Sequence, residues 1–160
     1  MRIDWLRDHP RHVDALAAAH VEAFGALLPD WTVAQAAADL RSHTRARAIP
    51  TTLLALDAEG GDWLGSVSLL REDHEGIRQY SPWLASLYVR PQARGQSVGA
   101  ALVARCVAEA AALGVARLYL YCTSAMAGWY RALGWSDHAL VVLGPLRVQV
   151  MAIDCREARG

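Results

Sequence analysis

The stretch from Trp83 to Cys122 constrains this chain more than any other part of it. Pro82 opens Trp83-Leu-Ala-Ser-Leu-Tyr-Val89, a run apolar enough to be a strand buried on both faces. A polar loop from Arg90 leads to Gly99. Beyond it Leu102, Val103, Cys106, Val107, Ala110 and Leu113 recur at helical spacing, until Gly114 with apolar Val115 behind it closes the helix. Leu118 to Cys122 then reads as another strand. Strand, covering helix and strand in this order form a β-α-β crossover, which places the two strands parallel in one sheet.

The flanks supply the rest of the sheet and its cover. Val13, Leu16, Ala17, His20, Val21, Phe24 and Leu27 follow Pro10 at three- and four-residue spacing, which predicts an amphipathic helix. Thr32 and Gln35 have capping-box spacing ahead of Val33, Ala36, Ala37 and Leu40, the face of a second helix. The runs 52–56 and 63–70 are strand-like and joined by the turn segment 57–62, so they predict a hairpin. After the loop from Arg71 to Tyr80 and the central crossover, Ser124 to Leu133 predicts a last helix stopped by Gly134. Residues 139–143 and 146–153 predict two strands about Gly144-Pro145. The expected order is β-α-α-β-β-β-α-β-α-β-β, with no internal repeat or linker, so residues 1–160 are expected to form a single domain.

Composition narrows the function. Acidic and basic residues balance at sixteen each, and the basic ones are scattered rather than gathered into a stripe, which argues against a nucleic-acid partner. All the basic residues are arginine, so a Walker A loop and lysine Schiff-base chemistry are excluded. Cys106, Cys122 and Cys155 are widely spaced, with no CxxC or histidine cluster for zinc. No metal is expected. The odd cysteine count, the lack of an 18-residue apolar run and an N-terminus without a signal-peptide core predict a cytoplasmic protein without a membrane partner.

The loop Arg90-Pro-Gln-Ala-Arg-Gly-Gln-Ser-Val-Gly-Ala100 joins a buried strand to a helix N-terminus, where unpaired N–H groups and the positive end of the dipole favour phosphate. Gly95 and Gly99 permit a sharp turn and close ligand approach, and Arg94 adds a charge suited to pyrophosphate. A dinucleotide fingerprint would need GxGxxG, which Gly95 and Gly99 do not supply. Taken alone, the two glycines could equally shape an ordinary turn.

Arg94-Gly-Gln-Ser-Val-Gly99-Ala resembles the R/Q-x-x-G-x-G/A loop of the GNAT superfamily of N-acetyltransferases. Trp129-Tyr130-Arg-Ala-Leu-Gly134-Trp135 resembles that family's Φ-Tyr-x-x-x-Gly-Φ segment, where Φ is apolar or aromatic, and the element order is similar through most of the chain. Ser97 departs from the pattern, standing where the first motif glycine is usual. The resemblance implies a mixed α/β fold: a mostly antiparallel sheet, a β-α-β acetyl-CoA-binding core and helices on both faces. It implies that Arg94, Gly95, Gln96, Ser97, Val98, Gly99 and Ala100 hold the pyrophosphate, and that Leu87, Tyr88 and Val89 pair with the pantetheine amides as an added strand does. Tyr130 would serve as general acid for the departing thiolate. The implied activity is acetyl transfer from acetyl-CoA to a primary amine. The alternative is a non-catalytic acyl-CoA-binding module or an interaction domain with a degenerate site of this family, and a homodimer is left open.

The base for the amine proton is sought in two polar clusters. Glu72 and Asp73, with His74 and Glu75, precede the central strand; Asp137 and His138 follow the last helix. Each also suits a solvated loop. His20 lies on an apolar helix face and reads as a core histidine. Cys122 ends a strand beside the expected cleft and reads as an inert thiol. Trp31, Trp83, Trp129 and Trp135 are candidates to line the cleft or to fill the core.

Overall fold

The computed structural model describes residues 1–25, 30–43, 48–59, 61–72, 77 and 79–158. Seven strands form one sheet: β1 (Arg2–Trp5), β2 (Thr51–Leu56), β3 (Trp63–Leu70), β4 (Trp83–Val89), β5 (Arg117–Cys122), β6 (Ser136–Leu143) and β7 (Leu146–Asp154). Their spatial order is β1-β2-β3-β4-β5-β7-β6, and every neighbouring pair is antiparallel except β4 and β5. The helices are α1 (Val13–Phe24), α2 (Val33–Ser42), α3 (Val98–Ala112) and α4 (Ser124–Ala132), with a final turn α5 (Cys155–Ala158) that the sequence pattern does not announce.

Side-chain alternation along β2 explains the two layers. Leu54 and Leu56 pack with Leu16, Ala17, Ala36 and Leu40 of α1 and α2, whereas Leu53 and Ala55 pack with Leu102, Val103 and Cys106 of α3. Residues of α4 and β5 extend the second layer. At the other end of the sheet, Ile77 and the buried Trp83 pack with Leu143, Val148 and Val150.

Local signals account for the boundaries. Thr32 Oγ1 accepts from the Gln35 amide at 3.1 Å and the Thr32 amide donates to Gln35 Oε1 at 2.9 Å, so the capping box opens α2 as its spacing predicts. Pro10 begins a short 3-10 turn, Pro10–His12, and α1 proper starts at Val13. Gly114 and Gly134 adopt left-handed backbone at φ +84° and +101°, closing α3 and α4.

Gly65 sets the spacing of β3 against β4. A β-carbon there would lie 2.5 Å from the Tyr88 carbonyl oxygen, a backbone atom that a rotamer change cannot move. Gly65→Ala should therefore push the strands apart and cost about 1–3 kcal/mol, lowering Tm by several degrees. Thermal denaturation checks this, and an unchanged Tm would contradict it.

Candidate active site

The central parallel pair is almost unpaired. Strands β4 and β5 meet at a single register position, Trp83 opposite Tyr119, held by a 3.1 Å bond from the Tyr119 amide to the Pro82 carbonyl. Beyond that point Leu84 to Val89 and Leu120 to Cys122 have no ladder between them. A β-bulge accompanies the split: Ser86 and Leu87 together oppose Val67, and Ser86 takes φ +55°. A bulge bends its strand, and this one turns β4 away from β5. The exposed edge of Leu84–Val89 offers backbone donors and acceptors to a linear ligand with amides of its own.

The wedge between the strands opens into a cavity of about 640 Å³ that crosses the sheet. Leu84 to Leu87 form one wall and Leu120 to Thr123 the other. Met126 and Tyr130 of α4 lie at one end, and His20, Phe24, Trp31 and Asp39 of α1, α2 and the segment before α2 lie at the other. Glu72 stands exposed at the rim, whereas Asp73, His74 and Glu75 lie outside the described residues.

Below the wedge the loop is anchored at its start. The Arg90 guanidinium bonds Asp62 at 2.9 Å and the Trp63 carbonyl at 3.1 Å, and it lies 4.7 Å from the centre of the Trp63 ring. Arg94 Nε donates to the Val89 carbonyl at 3.0 Å, tying the loop to the end of β4 while its exposed charge stays beside the helix N-terminus. Gly95 has φ +80° and Ser97 φ +64°, so the departure at Ser97 is a serine held in the left-handed conformation that glycine adopts without strain. The first backbone bond of α3 runs from the Ala101 amide to the Ser97 carbonyl at 3.1 Å, which leaves Val98, Gly99 and Ala100 as first-turn donors. Unpaired first-turn donors of this kind suit an anion such as phosphate.

Gly99 sits where loop and wedge meet. A β-carbon there would lie 3.4 Å from Trp129 Cη2 and 3.5 Å from Val89 Cγ2, so α4 and the end of β4 converge over this glycine. Trp129 is half-exposed at this junction and does not line the cavity.

Tyr130 is 7% exposed, lies edge-on to Trp129 and Trp135, and lines the cavity. Its hydroxyl has no hydrogen-bond partner among the described residues, yet it is not one of the sealed, unsatisfied polar atoms of the core. The phenol therefore reaches cavity space. Burial, and secondarily the neighbouring Cys122, raise its pKa above the ordinary tyrosine value, so it stays protonated and able to donate.

The other sequence candidates divide cleanly. Leu87 lines the cavity, Tyr88 packs toward Trp63 and His20 on the α1 side, and Val89 meets Gly99. Asp137 is spent on a two-point ion pair with Arg131 at 2.9 and 2.8 Å, and His138 packs against Tyr80 and Tyr119; neither lines the cavity. Trp83 and Trp135 are core residues, which leaves Trp31 as the cleft tryptophan. Cys122 lines the cavity, but burial pushes its thiol up to about 11 and its sulfur lies 3.8 Å from Met151 Sδ, so it stays an unreactive thiol. Periodicity alone conceals His20. It is buried as a core histidine would be and is bonded to Ser66 Oγ at 3.2 Å, yet it forms part of the cavity wall.

Among the described residues no helix is long and apolar enough to cross a membrane. No curated protein matches the sequence. The fold is similar to an aminoglycoside 6'-N-acetyltransferase solved with coenzyme A, at TM-score 0.75, 15% identity and 97% coverage of both chains. It is similar to the spermidine N-acetyltransferase of Vibrio cholerae solved with CoA and spermine, at TM-score 0.74 and 15% identity over 99% of this chain and 98% of that one. A ribosomal-protein-alanine N-acetyltransferase from Brucella melitensis gives TM-score 0.73 and 22% identity over 96% and 99%. These likenesses establish the fold. The family model for the acetyltransferase (GNAT) family matches residues 13–135, from the start of α1 through the loop, the wedge and Tyr130, and the chain belongs to that family.

Proposed function

We propose that this protein transfers the acetyl group of acetyl-CoA to a primary amine by direct attack of the amine on the thioester. The observation that carries the reading is the wedge: two parallel strands that part after one residue pair, directly above a helix N-terminus with free donors. The amides of Gly95 to Ala100 bind the pyrophosphate, with Arg94 adding charge. The pantetheine amides pair with the β4 edge at Leu87, Tyr88 and Val89. The thioester then lies in the cavity beside Tyr130, whose protonated phenol supports the departing thiolate.

Glu72, exposed at the rim, draws the ammonium form of the acceptor toward the cavity and keeps its place as a base candidate; Asp73 is the other. The fold relatives act on an aminoglycoside, a polyamine and a protein, so an amine is all that their named acceptors share. Three free cysteines fit a reducing, cytoplasmic setting.

Acetyl-CoA should raise Tm, because a ligand bound only by the native state adds about 2.7 kcal/mol of stability at a hundredfold excess over Kd. Differential scanning fluorimetry with millimolar acetyl-CoA tests this; an unmoved Tm would remove the cosubstrate from the proposal.

A further inference from the structure

A row of polar groups runs along one side of the cavity, and His20, His43 and Ser68 of that row line it. Ser66 and Ser68 lie two residues apart on β3 and so share the sheet face covered by α1 and α2, and both are buried. Thr52 on β2 stands opposite Ser68, with 2.8 Å between their hydroxyl oxygens. His43, just past α2, puts Nδ1 3.2 Å from Thr52 Oγ1. His20, on α1, puts Nε2 3.2 Å from Ser66 Oγ.

His20 and His43 each use one ring nitrogen in this row and leave the other without a hydrogen bond among the described residues, and both line the cavity; His20 is the buried one of the two. It is 3% exposed and lines the cavity, and its second ring nitrogen, Nδ1, makes no hydrogen bond among the described residues. Nor is Nδ1 among the sealed polar atoms that lack partners. A buried imidazole with one nitrogen fixed by a hydroxyl and the other open to a cavity is built as a base is built: oriented at one end, free at the other.

Resting on the acetyl-transfer reading above, we propose that His20 is the base that takes the proton from the attacking nitrogen, with Ser66 as the positioning residue that holds its tautomer. The acceptor sheds its ammonium proton to water at the rim, and its lone pair forms the C–N bond while the carbonyl π pair moves to oxygen. The nitrogen, now positive, passes a proton to His20 Nδ1, while Nε2–H remains donated to Ser66 Oγ. The oxyanion pair then re-forms the carbonyl as the C–S bond breaks with its electron pair on sulfur, Tyr130 gives its proton to that sulfur, and the amide and CoA thiol leave. His20 and Tyr130 regain their resting states by proton exchange with water.

The imidazole's surroundings decide which proton it can take. Its neighbours are Phe24 on its own helix, Tyr88 of β4, Ser66 of β3 and His43 at the end of α2; Asp39 and Glu72 share the cavity. Burial first, then the charge of His43, pushes His20 down to about 4. So weak a base cannot deprotonate a free alkylammonium, whose pKa is about 10. The nitrogen of the adduct is a far stronger acid, and a neutral imidazole suits it.

Two measurements test the proposal. Nitrogen-15 NMR of histidine-labelled wild-type protein should show His20 as the neutral Nε2–H tautomer, and Ser66→Ala should erase that preference; an Nδ1–H tautomer in the wild type overturns the proposal without any turnover assay. His20→Gln keeps a hydrogen-bonding amide for Ser66 and should lower kcat about a hundredfold, with acetyl-CoA affinity unchanged. A kcat in His20→Gln close to that of an active wild type overturns the role of His20 and leaves acetyl transfer standing. A wild type that acetylates no amine overturns the underlying reading, and His20 as base falls with it.

Discussion

Tyr130→Phe should lower kcat about a hundredfold while leaving acetyl-CoA affinity and Tm close to those of the wild type. The ring keeps its edge-on packing with Trp129 and Trp135, so the hydrophobic contribution of the side chain is retained. A hydroxyl paired inside the core would cost about 1 kcal/mol to remove. This hydroxyl has no partner among the described residues and opens to the cavity, so little stability is at stake. The effect falls on the transition state alone, where sulfur gains negative charge as the C–S bond breaks. Because a thiolate is a fair leaving group even unprotonated, the loss belongs at the low end of general-acid effects. Measuring kcat, acetyl-CoA affinity and Tm on one preparation separates the outcomes. A turnover within about twofold of wild type, far short of an acid catalyst's contribution, would assign Tyr130 to packing.

Gly99→Val should abolish acetyl-CoA binding in a protein that still folds. The β-carbon itself would make ordinary contacts at 3.4 to 3.5 Å with Trp129 and Val89. The two methyl groups beyond it have no such room, and they arrive where the loop meets the wedge between β4 and β5. Trp129 is half-exposed and can swing outward, so folding survives. The passage from pyrophosphate to pantetheine does not. Ser97→Gly is the contrasting arm: it relieves a left-handed serine worth about 1 kcal/mol or more of strain and should preserve or tighten binding. Isothermal titration of both variants checks the pair. Unchanged affinity in folded Gly99→Val would move the phosphate site elsewhere.

Particular residues explain what the sequence revealed and what it hid. The crossover from Trp83 to Cys122 was legible because apolar period, loop composition and a closing glycine agree over the whole stretch. The capping box at Thr32 was legible because its two bonds are local. No residue signal marks the parting of β4 and β5, since its bulge sits at Ser86, with no glycine or proline there and a left-handed φ that serine rarely takes. His20 was hidden by its own helix: it occupies an apolar position in α1, and its bond to Ser66, 46 residues on, and its place in the cavity wall both depend on segments far away in sequence. Asp137 looked free for chemistry because its partner Arg131 lies in the preceding helix, across the turn at Gly134. Trp83 and Trp135 looked available because composition cannot separate a core aromatic from a cleft aromatic. Local patterns carry elements and caps; the site depends on contacts between distant segments, which only the assembled sheet supplies.

The measurement that bears most directly on the central claim is release of CoA thiol from acetyl-CoA across a panel of polyamines, amino acids, aminoglycosides and peptide N-termini, with mass spectrometry of the amine product. Acetyl transfer predicts acceptor-dependent thiol release, matched one for one by an amine heavier by an acetyl group, with both slowed about a hundredfold in Tyr130→Phe and both lost in Gly99→Val. Thiol release at the no-acceptor rate with every amine, in a protein whose Tm acetyl-CoA still raises, would contradict it and leave a module that binds acetyl-CoA without turning it over.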